Sequence, residues 1–590
     1  MNPLAWRGPV EDIAFVLGHV VGRGPDGGGP AAADTGLARE VLEAATRYAG
    51  EVLLPLDARA DREGARLTTE GVRCTPGMRE AWTGFREGGW PGLVAAERWG
   101  GSGLPAVLGA AVDELWCGGS LAFSLLPMLT GALAATLERH GAPWQRDLYL
   151  PRLVSGEWTG AMDLTESHAG SDLANVRTVA LADPDPDPRG FPGRHRLRGT
   201  KVFITWGEHD LADNVVHLVL ARGPEGQPGT RGLTLYLVPA RVPRADGAVG
   251  DRNDVRCVAL ERKLGLHGSP TATMVFGEAG GAIGWQVGDS GRGLEHMFTM
   301  MNRARLAVGI EGVALSERAF QLARAHARQR EQGRRSDGQP ARLVDHPDVR
   351  RMLLELRAGT GAARALALEV AALLDRADDL QAVVRLALLT PVVKAWCTEQ
   401  AVRLASLGIQ VHGGMGYVED TGAARLLRDA RITPIYEGTS GIQALDFLLR
   451  RVQRDEGRGL GDWVREVRET ASHCGGMGWP GAGGCARALE AAALDLDRAA
   501  DHLLRMADTE SGRERALAAA SPLLELAGTV ASGWMAVRCA AAAQGAGVAS
   551  SRRWIEDACY VASARLPATR LHLARITGDA CGVIADARFH

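Results

Sequence analysis

Lysine is nearly missing from this 590-residue chain: Lys201, Lys263 and Lys394 are the whole complement, and every other basic residue except histidine is arginine. With the abundance of Ala and Gly, this reads as a base-composition bias and carries no functional meaning. A formal net charge of -3 gives no electrostatic reason to expect nucleic acid. The nine cysteines are odd in number, scattered, and never form a CxxC pair, which argues against a disulfide framework or a zinc site, and no other metal site is expected. Several catalytic signatures are also lacking. Thr200 precedes Lys201 and Val202 follows it, so there is no phosphate-cradling Walker loop, and neither HExxH nor Gly-x-Ser-x-Gly occurs. The Gly-rich runs after Glu97 and His412 do not lie between a strand and a helix, which disfavours a nicotinamide-binding fold. Glu11 and Asp12 interrupt the first apolar run, so no secretory signal is read there. The longest uncharged stretch, Cys117 to Leu137, contains Gly118, Gly119, Ser120, Pro127 and Gly131 and reads as a buried helix, not a membrane span. A cytoplasmic protein is expected.

What is present is length enough for two to four packed domains, with 46% apolar and 23% charged residues. Residues 1–36 read as an N-terminal extension, a short helix followed by a flexible link rich in Gly, Pro and Asp from Gly22. Over 37–157 the apolar spacing is helical, as in Leu37, Val41, Leu42, Ala45 and Tyr48. Over 158–290 the period changes to short β-branched or alternating runs: Trp158–Glu166, Val176–Ala182, His195–Thr205, Asn214–Arg222, Leu233–Pro239, Val255–Glu261 and Ala272–Phe276. Runs of that kind at that spacing predict one compact sheet or barrel. Helical spacing returns over 291–455, with one helix started by Asp345 and carrying Pro347 in its first turn. After a Gly-rich stretch at Cys474–Gly484, residues 456–590 complete an additional helical domain. The fold class is therefore mainly α with a central β-barrel domain.

Three polar runs stand out. In Thr165-Glu166-Ser167-His168-Ala169-Gly170-Ser171-Asp172, hydroxyls and backbone N–H groups gather at a strand end, where a polar ring edge or a phosphate can be met. In Lys201-Val202-Phe203-Ile204-Thr205-Trp206, an aromatic and a hydroxyl two residues apart share a strand face and suit a flat heteroaromatic group. The third is Gln410-Val411-His412-Gly413-Gly414-Met415-Gly416-Tyr417, followed by Arg428-Asp429 and Ile435-Tyr436-Glu437-Gly438-Thr439-Ser440. Taken singly, each has an ordinary reading: Thr165 and Ser171 as turn caps, Phe203 as core, Gly413-Gly414 as a close-packing site, Glu437 as a solvated acid at a helix end.

Their order and spacing over residues 40–450 resemble the acyl-CoA dehydrogenase family, whose runs are Thr-Glu-x-x-Ala-Gly-Ser-Asp, Lys-x-x-Ile-Thr, Gln-x-x-Gly-Gly-x-Gly-Tyr and Ile-Tyr-Glu-Gly-Thr. The N-terminal extension and the extra C-terminal helical domain look like a long bacterial subgroup that includes 3-methylmercaptopropionyl-CoA and broad-range fatty acyl-CoA dehydrogenases. The resemblance implies FAD as cofactor and an acyl-CoA substrate, converted to trans-2-enoyl-CoA with Glu437 taking the α-proton and flavin N5 the β-hydride. It implies flavin contacts from Thr165, Ser171, Phe203, Thr205 and Thr439. Arg330, Gln410, Gly413 and Gly414 would reach FAD across a subunit boundary. Ser171, Asn302, Arg305 and Gly438 would face the substrate, with the Glu437 backbone N–H and a ribityl hydroxyl holding the thioester carbonyl. An electron-transferring flavoprotein is the implied electron acceptor, and the extra domain points to a homodimer.

Departures from the family pattern are Asn302 in place of an acidic residue, the short Arg330-Glu331-Gln332-Gly333, and Gly441 in place of glutamine. Trp206 after Thr205 either narrows the pocket or packs away from it. For Arg305 the ordinary reading is a helix-surface arginine. Two rival functions share the fold: a flavin monooxygenase or oxidase, against which Glu437 weighs, and a nucleic-acid-associated member, for which no concentrated basic face is found.

Overall fold

A computed structural model describes residues 6–22, 35–185, 187, 189–244, 246–506, 510–578 and 580–588. By internal contacts the chain divides into two units, one made of Tyr48–Leu104 and Gly119–Ala304, the other of Met1–Arg47, Pro105–Gly118 and Arg305–His590.

The first of these units holds the main sheet and a short hairpin. A short hairpin, β1 (Arg66–Thr68) with β2 (Gly71–Arg73), interrupts a stretch whose spacing predicts helix alone. The main sheet has eight strands: β3 (Trp158–Asp163), β4 (Val179–Ala182), β5 (Arg194–Thr205), β6 (Asn214–Arg222), β7 (Leu233–Pro239), β8 (Val255–Leu260), β9 (Thr271–Phe276) and β10 (Ala282–Val287). Their order is β10-β7-β6-β4-β5-β9-β8, with β3 parallel to β6 and a further pairing of β10 with β5. The seven expected strands are present, three of them trimmed at one end, two with the expected bounds and two longer by one residue, and β10 is an eighth that its Gly-Trp-Gln interior hid from the alternation rule. Strands β6 and β7 are buried along almost their whole length, so they read as continuous apolar runs.

Two cores flank this sheet. On one side Leu133, Leu137, Trp158, Leu218, Leu237 and Met297 pack together. On the other lie Leu197, Ile204, Val219, Met274 and Phe276. The helix Leu121–His140 packs on β3 and is started by Ser120, whose Oγ accepts from Phe123 N at 3.3 Å. It is long and apolar enough to cross a membrane, as is the helix from Leu380, and 67% of its most apolar window is buried within the protein.

The other unit is helical. Val10–His19 packs on Pro347–Ala372 and Ala520–Gly545, with Phe15 stacked on Trp554 at 4.9 Å. Most of the link from Gly22 lies outside the described residues. Pro347 occupies the first turn of its helix as expected, but His346 is the N-cap; Asp345 ends a preceding 3-10 turn, where its carboxylate accepts from Arg342 N. Arg330 leads into a hairpin, β11 (Glu331–Arg334) with β12 (Pro340–Arg342), that the sequence reading does not contain. The long helix Leu380–His412 starts at Asp379, whose carboxylate accepts from Gln381 N and Ala382 N. Beyond residue 456 the chain continues as helices Arg458–Gly475, Ala482–Met506, Glu510–Ala518, Ala520–Gly545, Ser551–Tyr560, Ala568–Thr577 and Ala580–Asp586.

Candidate active site

In the helical unit, Glu437 sits in the irregular turn that connects the helix Ala423–Ala430 to Ser440–Leu445. Its φ is +55°, a conformation rare for any residue with a Cβ, and Gly438 follows at +90°. Such strain persists only where the surroundings impose it. Here Gln443, fully buried, donates from Nε2 to the carbonyls of Glu437 (3.3 Å) and Gly438 (3.2 Å). Thr439 stops the turn by accepting from Ile442 N at 3.2 Å, and Ser440 Oγ donates to Glu399 at 2.6 Å. A Cβ on residue 438 would stand 2.8 Å from Gln443 Nε2, so glycine is favoured there by φ and any side chain would have to displace that amide.

The electrostatics around Glu437 oppose one another. Burial pushes its carboxyl up to about 7, against the pull of Arg305 and Lys394. Arg305 is buried and ion-paired with Asp446 at 3.4 Å, which sets aside its reading as a helix-surface arginine. Asp446 in turn lies 3.5 Å from both Arg450 and Arg451. A carboxyl held near neutrality, strained in place and flanked by cations, is suited to general-base work.

In the β-containing unit the other two motifs converge. Thr165 O accepts from Val202 N at 2.9 Å, and Lys201 Nζ donates to Leu164 O (2.9 Å) and Glu166 Oε1 (3.0 Å). Strand β3 ends at Asp163, so Thr165 and Glu166 lie just beyond it. Between Lys201 and Ile204 the register against β9 shifts, and within that bulge Phe203 has φ +62°. The bulge reverses which side faces the core: Lys201 and Ile204 are buried, Phe203 is 62% exposed and Thr205 half-buried. Phe203 and Thr205 do share a face, and the bulge is what turns that face outward. The reading of Phe203 as core is thereby corrected. Trp206, also at positive φ, packs inward: fully buried, it donates from Nε1 to Ala122 O at 3.2 Å and meets His209 edge-on. Ser171 and Asn302 are exposed.

Arg330, Gln410, Gly413 and Gly414 are all exposed in the helical unit. Gly413, with φ +62°, ends the helix Leu380–His412, and the loop beyond it leaves Met415 and Tyr417 in solvent.

Comparison with known proteins gives four domain matches in chain order: acyl-CoA dehydrogenase N-terminal domain (residues 36–157), middle domain (161–279) and C-terminal domain (291–452), then an acetyl-CoA dehydrogenase C-terminal-like domain (463–585). The 3-methylmercaptopropionyl-CoA dehydrogenase of Ruegeria pomeroyi is 42% identical over 542 residues, 90% of either chain. The chain belongs to the acyl-CoA dehydrogenase family. Two solved structures share its fold. An acyl-CoA dehydrogenase of Bacillus anthracis complexed with FAD has a TM-score of 0.76 at 19% identity, covering 98% of this chain and 94% of its own. Caenorhabditis elegans ACDH-11 in complex with C11-CoA has a TM-score of 0.73 at 23% identity, covering 93% and 92%.

Two groups of this acyl-CoA dehydrogenase have roles that the motif reading does not assign. Glu166 is the acceptor that ties the first motif to Lys201 of the second, and its place beside Thr165 is the only sequence signal for it. Glu311, buried in the helix Gly293–Gln329, accepts a hydrogen bond from Tyr436 Oη next to the base. Nothing in the letters 305–315 marks that glutamate as facing inward.

Proposed function

We propose that this enzyme dehydrogenates an acyl-CoA thioester to its trans-2-enoyl-CoA, with Glu437 as the base that takes the α-proton. The observation that carries the reading is Glu437 itself, a single carboxyl strained to φ +55° and pushed by burial to about 7. A carboxylate poised there is ionised often enough to accept a proton and is restored by losing one, with no second acid required. The Glu437 backbone N–H, presented by the same strained turn, suits the thioester carbonyl oxygen as enolate charge develops. Gly438 leaves room for the acyl chain to lie against the backbone.

FAD, when bound, supplies the acceptor for the β-hydride. The residues present fit that cofactor. Phe203 is a large aromatic turned out of the sheet by a bulge, with the Thr205 hydroxyl on the same side and Thr165 and Ser171 at the adjoining turn. These suit an isoalloxazine edge and its phosphate side. The exposure of Arg330, Gln410, Gly413 and Gly414 supports their reaching the cofactor of a second copy in a homodimer. Thr439 is read as a further cofactor contact, Asn302 and Arg305 as substrate contacts. The β10–β5 pairing, which joins the two ends of the path β10-β7-β6-β4-β5, supports reading the central sheet as a barrel. A cytoplasmic enzyme passing electrons to an electron-transferring flavoprotein completes the proposal.

The deciding experiment is an anaerobic screen of CoA thioesters of varied length and branching, including 3-methylmercaptopropionyl-CoA, followed by bleaching of the flavin band at about 450 nm. At least one thioester should bleach the flavin stoichiometrically. If none does, the dehydrogenase reading fails.

A further inference from the structure

Lys394, on the helix Leu380–His412, is fully buried, and its Nζ makes no hydrogen bond among the described residues. An ammonium taken out of water without a partner is costly, so what faces it matters. Close helix packing decides that. A Cβ on Gly309 would stand 2.5 Å from Val393 Cγ1, and one on Gly312 2.5 Å from Cys397 O, so these glycines let the helix Gly293–Gln329 press against Leu380–His412 on either side of Glu311 and Lys394. Glu311 is held by Tyr436 Oη, and Tyr436 is the chain neighbour of Glu437. A buried ammonium thus lies opposite the buried carboxyl of Glu311, which Tyr436 ties to the half-buried base.

We propose that Lys394 is a positioning residue for the reaction: its ammonium, packed opposite Glu311, favours the ionised form of Glu437 and directs it before a thioester arrives. This rests on the reading of Glu437 as the base. The groups that face the cluster are Arg305 and Glu311 from Gly293–Gln329, Lys394 and Glu399 from Leu380–His412, Asp113 and Cys117 from Ala106–Gly119, and Tyr436 and Glu437 from the turn. Burial lowers Lys394 to about 8 while Glu437 and Glu311 hold it up, and burial raises Glu311 to about 8. The charge on Lys394 and the proton on Glu437 are therefore linked: taking away the ammonium makes Glu437 bind its proton more tightly, and taking away the Glu437 carboxylate makes Lys394 release its own more easily.

The scarcity of lysine makes the test direct. Holoenzyme labelled with 13C at lysine Cε gives three side-chain signals, and Lys394→Met identifies one of them. That signal should titrate near pH 8, and Glu437→Gln and Glu311→Gln should each lower its midpoint by about one pH unit. In anaerobic mixing with butanoyl-CoA, or whichever thioester bleaches the parent enzyme, Lys394→Met should move the acid limb of the flavin-reduction rate upward by about one pH unit. On the acid side it should be about tenfold slower, with substrate affinity changed by less than about twofold. A Lys394 midpoint indifferent to Glu437→Gln overturns the proposal, as does an unmoved acid limb. Should no thioester reduce the parent flavin, the assignment of the base falls, and the lysine titration still decides whether Lys394 and Glu437 are coupled. Should Lys394→Met fail to fold, the two glutamine variants carry the titration, with the signal near pH 8 identified by its response to them.

Discussion

Two of the chain's three lysines are buried beside a glutamate, and the two pairs behave in opposite ways. Lys201 donates to Leu164 O and Glu166, while the Glu166 carboxylate also accepts from Arg177 N (2.8 Å), Thr178 N (2.9 Å) and Thr178 Oγ1 (2.6 Å). Burial would raise that carboxyl, but the Lys201 charge and the Thr178 and Arg177 hydrogen bonds bring it down to about 2. Both charged groups of the pair are hydrogen-bonded several times over, and the pair serves as a strut between two motifs. Lys394 and Glu437 have the same residue types and equal burial of the lysine without that satisfaction, and the carboxyl rises to about 7. Hydrogen-bond supply, not residue type, separates a structural ion pair from a poised base.

The largest expected effect lies on the unsatisfied side. Glu437→Gln should retain FAD yet slow flavin reduction by about 10² to 10⁴, the usual cost of losing a general base. Loss of FAD in that variant would mean that Glu437 holds the cofactor and the comparison is misdrawn. The same variant has a stability signature. The folded chain keeps a proton on Glu437 between the ordinary carboxylate range and about pH 7, where the unfolded chain has released it, so stability falls as pH rises through that window. Glu437→Gln should therefore raise the melting temperature more at pH 8 than at pH 5.

Substituting the lysines sharpens the contrast. Lys201→Met strands a buried carboxylate with its hydrogen bonds arranged for charge, and should cost about 3–5 kcal/mol in denaturant unfolding. Lys394→Met removes a buried ammonium that has no hydrogen bond among the described residues, and should change stability by no more than about 1 kcal/mol, with either sign. Equal losses at the two positions would show that hydrogen-bond satisfaction is not what distinguishes them.

Much of this site was legible as letters, because the motifs are made of residues whose spacing is fixed by a turn or a strand end. Glu437-Gly438-Thr439 stands out as a motif in the letters, while its positive-φ turn and the Thr439 N-cap appear only in the structure. The eight-residue run from Thr165 and the run from Lys201 likewise fall where a strand end and a strand were expected. What was not legible depends on contacts distant in sequence. Glu311 looks like any polar residue of a helix until Gly309 and Gly312 bring a second helix onto it. The bulge at Phe203 shows in the register against β9 and not in the alternation of the strand itself. The hairpins β1–β2 and β11–β12 were missed for a simpler reason, since strands of three or four residues set no period.

Gly438→Ala should have an intermediate effect. It forces a Cβ into a φ of +90° and against Gln443 Nε2, the group that fixes the Glu437 carbonyl. A loss of about 1–3 kcal/mol is expected, together with slower flavin reduction from a displaced base. Unchanged unfolding and unchanged rate would show that the turn is looser than its hydrogen bonds imply.

Phe203 offers the smallest expected effect and the finest test of whether strain is confined to the site. It combines a positive φ with an exposed aromatic ring, two unfavourable features at one position of a strand that is otherwise regular. Phe203→Gly removes both, since glycine takes φ +62° without strain. The cofactor-free variant should unfold at higher denaturant, by about 1 kcal/mol after the added freedom of its unfolded chain is counted. The same variant should bind FAD more weakly, measured by the free flavin released on dilution. A variant stabilised without losing FAD would mean that the bulge shapes the sheet alone. One that loses FAD without gaining stability would place the strain in the bulge backbone, beyond what replacing the side chain relieves.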